Sequence, residues 1–113
     1  DLIPYWDYNA PGIPDEPRDV SAATVTASAL YELSMYDETN RTGYVDRADR
    51  ILENLTNRYR ASVGKDCGFL LLHSTGSKTH GSEVDVPIVY ADYYYLEALL
   101  RKAKLEKEGT ALL

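Results

Sequence analysis

The stretch Ile88-Val89-Tyr90-Ala91-Asp92-Tyr93-Tyr94-Tyr95-Leu96 is apolar or aromatic on nearly every side of a helix. A helix of that kind has to be buried among other helices. Asp85 is expected to cap it, Pro87 fits its first turn, and the pattern runs to about Glu106, with Leu105 to Leu113 reading as a fraying end. Asp92 sits inside the apolar stretch. Burying a carboxylate without hydrogen bonds is costly, so Asp92 has to cap neighbouring backbone groups or face a polar cavity.

Two more helices precede this one. Ser21 to Tyr36 lacks Gly and Pro and sets Ala22, Val25, Ala29, Leu33 and Tyr36 at helical spacing, with Asp19 or Ser21 as cap. Ala22, Ala23, Ala27 and Ala29 let neighbouring helices approach closely. After a polar turn over Asp37 to Gly43, the residues Tyr44, Ala48, Ile51, Leu52, Leu55 and Tyr59 form a single stripe that Gly64 is expected to end. The mixed charges between them, such as Asp46, Arg47, Glu53 and Arg58, read as a solvated face. The sequon Asn54-Leu55-Thr56 is discounted because it falls inside this helix.

The connections carry more chemistry than the helices. Pro4, Pro11, Pro14 and Pro17 make residues 1–19 an ordered loop that also holds Tyr5, Trp6, Asp7, Tyr8 and Asn9. Phe69 to Leu72 is a short extended apolar run. The polar segment His73 to Glu83 follows, with two glycines, both histidines and three serines, a composition that suits either a turn or a ligand-binding loop.

Composition narrows the classes. With 44% apolar and 27% charged residues the chain is a globular segment of at most one domain, not a disordered one. A net charge of -6 argues against nucleic acid. No membrane-spanning or signal-peptide pattern occurs in these residues, so no membrane partner is expected. The single cysteine, Cys67, has no partner for a disulfide or a metal site and reads as a small core residue. Ten tyrosines suit core edges as well as surfaces on which sugars stack.

Two blocks go further. Pro4-Tyr5-Trp6-Asp7-Tyr8 followed by Pro14-Asp15-Glu16-Pro17-Arg18-Asp19-Val20-Ser21-Ala22-Ala23 resembles a PYWDF-like loop leading through PRD to an alanine-rich inner helix in glycoside hydrolase family 88. Gly68-Phe69-Leu70-Leu71-Leu72-His73-Ser74 and Tyr90-Ala91-Asp92-Tyr93-Tyr94-Tyr95-Leu96-Glu97-Ala98-Leu99 are similar to the end of the same enzymes. The resemblance covers essentially the whole chain. It implies an all-α fold: residues 1–113 as the C-terminal part of one (α/α)6 barrel of helical hairpins, with no second domain.

It also implies that the parent enzyme removes Δ4,5-unsaturated uronic acid from lyase-generated oligosaccharides, without a cofactor or metal. A carboxyl group protonates the enol-ether double bond and directs water to it, which requires an acid held partly protonated near neutral pH. No position here matches the family's catalytic aspartates, so no catalytic residue is assigned. The fragment is expected to be inactive alone, with the remainder of the barrel as its partner. Family members that accept sulfated substrates share a Ser-x-x-Ser-x-Lys pattern; here the positions read Ser77-x-x-His80-x-Ser82, so an unsulfated or differently sulfated disaccharide is equally expected. Ser77, Lys78, His80, Ser82 and Trp6 are the expected substrate contacts. Arg18, Asp19, His73, Asp92 and Tyr93 are expected to be structural or barrel-lining. Two alternatives stay open on the residues themselves: a helical-repeat interaction module and a non-catalytic carbohydrate-binding domain.

Overall fold

The computed structural model describes residues 1–112, with side chains through Glu108. It has three helices, α1 (Val20–Ser34), α2 (Arg41–Arg58) and α3 (Val89–Leu112), and two single 3-10 turns at Asp66–Gly68 and Lys78–His80. The N-terminal helix α1 packs against both α2 and α3, which barely touch each other. The core lies along that central helix, where Ala23, Ala27 and Tyr31 meet Ile51 and Leu55 of α2 and Tyr95 and Ala98 of α3.

The stripe expected on α2 is the one that is buried, through Ala48, Ile51, Leu52 and Leu55. On α1 the period is right and the face is wrong. Val25, Ala29, Leu33 and Tyr36 are exposed, and the buried side is Val20, Ser21, Ala23, Thr24, Ala27, Ser28, Tyr31 and Ser34. Small side chains allow close packing there, and their hydroxyls are satisfied. Thr24 Oγ1 donates to the Ser21 carbonyl at 2.9 Å, Ser34 Oγ to the Tyr31 carbonyl at 2.6 Å, and Ser28 Oγ to Glu97 of α3 at 2.5 Å. Arg101 of α3 completes that polar seam by donating to the Ser28 carbonyl at 2.9 Å.

Three other expectations need correction. Helix α2 stops at Arg58, well before Gly64, because the next residues pair with the apolar run: Leu72 N–H donates to the Tyr59 carbonyl and Ala61 N–H to the Leu70 carbonyl, both at 2.9 Å. Cys67 is exposed, not a core residue, since it lies with φ 54° in the turn that joins those two extended segments. Asp85 does not cap α3. It has φ 53°, its carboxylate is bound to His73, and the helix begins four residues later at Val89.

The third helix buries only one side within this chain, through Ala91, Tyr95 and Ala98. Val89, Tyr93, Leu96 and Leu100 form an apolar stripe on the opposite side that is open to solvent, and the helix continues past Glu106 to Leu112. Leu113 lies outside the described residues. Asp92 caps backbone, accepting Leu70 N–H at 2.9 Å and Leu71 N–H at 3.1 Å. No helix among the described residues is long and apolar enough to cross a membrane.

Candidate functional site

The proline-rich loop folds back on itself. Trp6 N–H donates to the Pro17 carbonyl at 3.0 Å and Asp19 N–H to the Pro4 carbonyl at 2.8 Å. Arg18 holds the loop from inside: its guanidinium donates to the Ile3 carbonyl at 2.5 Å and to the Tyr5 hydroxyl at 3.0 Å, and lies 3.9 Å from the centre of the Tyr5 ring. Cation–π attraction and a buried carbonyl acceptor therefore act on the same side chain.

Thr75 joins this loop to the polar segment. Its N–H donates to Asp19 Oδ1 at 3.2 Å and its hydroxyl to the Arg18 carbonyl at 3.0 Å, while the hydroxyl accepts Asp85 N–H at 3.2 Å. The same Asp19 oxygen caps α1 by accepting Ser21 N–H at 3.1 Å. Val20 N–H donates to the His73 carbonyl at 3.1 Å, so helix start, loop and polar segment are fixed to one another.

The polar segment is a hairpin, not a loose turn. At its base Ser74 and Val86 exchange two backbone bonds of 2.9 Å, and Gly76 N–H donates to the Glu83 carbonyl at 2.7 Å. His73 Nδ1 lies 2.6 Å from Asp85 Oδ1 beside this base, and its ring meets Tyr59 edge-on. At the tip, Ser82 N–H and His80 N–H both donate to the Ser77 carbonyl at 3.1 Å, and Gly81 with φ 67° closes the 3-10 turn. The Ser77 hydroxyl is 3.1 Å from His80 Nδ1, which gives the imidazole a fixed neighbour.

These pieces enclose an open polar cleft of about 300 Å³, lined by Trp6 on one side and by Thr75 to His80 on the other. Of the residues singled out from the sequence, Trp6, Ser77, Lys78 and His80 are thus brought together. Ser82 pairs across the hairpin behind them. Arg18, Asp19 and His73 support the cleft from its base. Asp92 lies away from it, on α3, and Tyr93 is exposed there, edge-on against Tyr94 with ring centres 5.0 Å apart. Sequence reasoning missed Thr75, Gly76 and Thr79 as lining residues. It also missed Glu16, whose Oε2 accepts the Trp6 indole N–H at 3.1 Å. Polar character pointed to the first three, but nothing in the sequence signalled Glu16.

The cleft combines an aromatic ring with hydroxyl, amide and cationic donors, which is the chemistry of sugar recognition. Four aspartates are engaged in structure: Asp7 Oδ1 accepts Asn9 N–H at 2.8 Å, Asp19 and Asp92 accept backbone amides, and Asp85 holds His73. Among the described residues no group of three His, Cys, Asp or Glu side chains could hold a metal ion. Marked proton-affinity shifts occur in the helix packing, where burial and then the hydrogen bond to Asp49 push the Tyr31 hydroxyl far up.

No protein-family model matches the chain. An unsaturated glucuronyl hydrolase of Formosa agariphila is 48% identical over 106 residues, which is 93% of this chain and 26% of the relative. Relatives of this chain are unsaturated glucuronyl hydrolases and unsaturated chondroitin disaccharide hydrolases. A Bacillus enzyme of the same name is 33% identical over 104 residues, covering 89% of this chain and 28% of the relative. Among solved structures, an unsaturated glucuronyl hydrolase specific for heparin superposes with a TM-score of 0.88 at 44% identity, over 93% of this chain and 28% of that one. A mutant of the Streptococcus agalactiae enzyme complexed with dGlcA-GalNAc6S superposes with a TM-score of 0.80 at 30% identity, over 88% of this chain and 27% of that one. The chain therefore spans about a quarter of the length of the unsaturated glucuronyl hydrolases it matches. At this identity and overlap, the expected all-α segment of an (α/α)6 barrel is borne out.

Proposed function

We propose that this chain is the C-terminal part of an unsaturated glucuronyl hydrolase of glycoside hydrolase family 88, within a single barrel domain, and that its cleft contacts the oligosaccharide. In the whole enzyme the Δ4,5-unsaturated uronic acid at the end of a lyase product is removed by hydration of its double bond. The hemiketal so formed rearranges and releases the neighbouring sugar. This segment supplies barrel closure through the exposed faces of α1 and α3, together with the cleft. The proton donor belongs to the remainder of the barrel: no position here matches the family's catalytic aspartates, and Asp19, Asp92 and Asp85 are committed to backbone amides and to His73.

One observation carries the reading: Trp6 and the Thr75–His80 tip share one polar cleft, although they are about seventy residues apart in a chain related to sugar hydrolases. Trp6 offers a face for a sugar ring. Lys78 and His80 offer donors for its carboxylate or for an anionic substituent on the next sugar. The test is turnover of an unsaturated glucuronyl disaccharide by the complete protein carrying Lys78→Ala or His80→Ala. Each is expected to raise KM by about three- to tenfold with kcat little changed. Unchanged KM in both would remove the cleft from the substrate's path. Turnover by residues 1–113 alone would overturn the assignment of the acid to the rest of the barrel.

A further inference from the structure

The cleft wall formed by Trp6 depends on a residue that does not line it. The indole N–H of Trp6 donates to Glu16 Oε2 at 3.1 Å, and the Trp6 backbone N–H donates to the Pro17 carbonyl at 3.0 Å. Backbone and ring are thus tied to two adjacent residues on the returning arm of the loop. Glu16 is itself seated: the turn in which Asp15 N–H donates to the Gly12 carbonyl at 2.7 Å brings its carboxyl against Gly12, where a Cβ would lie 3.3 Å from Glu16 Cδ. Glu16 is half-buried and is not among the residues that line the cleft.

We propose that Glu16 is a positioning residue for substrate binding, which fixes the face that Trp6 turns toward the Thr75–His80 tip. This rests on the sugar-site reading above. Without such an acceptor an indole is free to rotate about its own side-chain bonds, and a sugar that stacks on it has to pay for stilling it. A carboxylate acceptor suits the task because hydrogen bonds to a charged group are the stronger kind. It meets the ring at its N–H edge and does not line the cleft, so its charge meets the indole N–H and not the ligand. The effect is therefore on binding, and it is transmitted only through the N–H of Trp6.

The test is kinetic, in the complete protein, with an unsaturated glucuronyl disaccharide as substrate. Glu16→Leu is expected to raise KM about fivefold and to leave kcat near its starting value, while Glu16→Gln, whose amide oxygen still accepts the indole N–H, retains most of the affinity. Trp6→Phe keeps a ring and deletes the N–H. It should show the same rise as Glu16→Leu, and adding Glu16→Leu to it should cost nothing further, a non-additivity that a merely structural glutamate would not show. If Glu16→Leu does not fold, Trp6→Phe and Glu16→Gln carry the test between them. A full Glu16→Leu effect in the Trp6→Phe background, or a Trp6→Phe variant with unaltered KM, overturns the positioning role. Trp6→Ala separates the two readings: if it leaves KM unchanged the sugar site itself falls, whereas if it raises KM and Glu16→Leu does not, only the role of Glu16 falls.

Discussion

Asp92, in the first turn of α3, accepts the amide N–H of Leu71 at 3.1 Å, and its second oxygen accepts the N–H of Leu70 at 2.9 Å. One carboxylate thereby takes up two amides that the pairing of this extended run with residues 59–61 leaves over. Two charge-assisted bonds to otherwise uncapped amides predict that Asp92→Ala destabilises the complete protein by about 2–3 kcal/mol, and Asp92→Asn, which retains one acceptor, by less. Denaturant unfolding of the two variants checks the order. Equal losses would mean that the second bond contributes nothing.

Tyr31 is fully buried in α1, and its hydroxyl donates to Asp49 Oδ1 at 2.5 Å, with Lys102 Nζ 2.8 Å from the same oxygen. Burial, and then Asp49, raise the Tyr31 hydroxyl above the ordinary value of 10.0, so the folded state holds the proton that an unfolded chain gives up. Its contribution is fully present below pH 10.0 and is lost as pH rises beyond that value. Tyr31→Phe should lower stability near neutrality by about 1 kcal/mol and flatten the alkaline decline. An unaltered alkaline slope in pH-dependent unfolding would contradict the linkage.

Gly76 meets the Glu83 carboxyl and the Tyr90 hydroxyl where a Cβ would have to sit. The constraint is one of space, since its φ is not in the left-handed region. Gly76→Ala is expected to cost about 1 kcal/mol, as Glu83 swings away, and the double variant Gly76→Ala/Glu83→Ala to recover most of it. Thermal unfolding of the single and double variants measures the recovery. Additive losses would mean that Glu83 is not the obstruction.

Leu100 is 73% exposed within this chain, at the end of the apolar stripe of α3. If that stripe closes a barrel, Leu100→Asp in the complete protein should cost more than about 2 kcal/mol, against less than about 0.5 kcal/mol for a truly solvent-facing position. A negligible change in unfolding midpoint would count against barrel closure through this face.

Legibility in the sequence followed the kind of force at work. Helix α2 was readable because large aliphatic groups alone define its buried side, and the need of Asp92 for partners was readable because an unpaired carboxylate in an apolar run is costly. The buried face of α1 was not, since it is built from Ala, Ser and Thr whose hydroxyls find partners such as Glu97, sixty-nine positions away. Asp85 resembled a cap, but His73 competes for its carboxylate. Cys67 resembled a core residue, but a left-handed turn puts it outside. Trp6 and the 75–80 tip could each be suspected of binding. That they share a cleft depends on Thr75 and Asp19, a contact between segments that no local pattern encodes.

The hairpin that carries the tip divides into two parts with different obligations. Its base answers to Asp19, Arg18 and the start of α1 through Thr75 and His73, whereas the bonds described for residues 77–82 stay within that stretch. Divergence can therefore act on the tip as on an exchangeable cassette. Replacing Ser77, Lys78, His80 or Ser82 leaves the anchoring bonds of the base untouched, so the chemistry of the cleft wall can change while the scaffold that presents it stays the same.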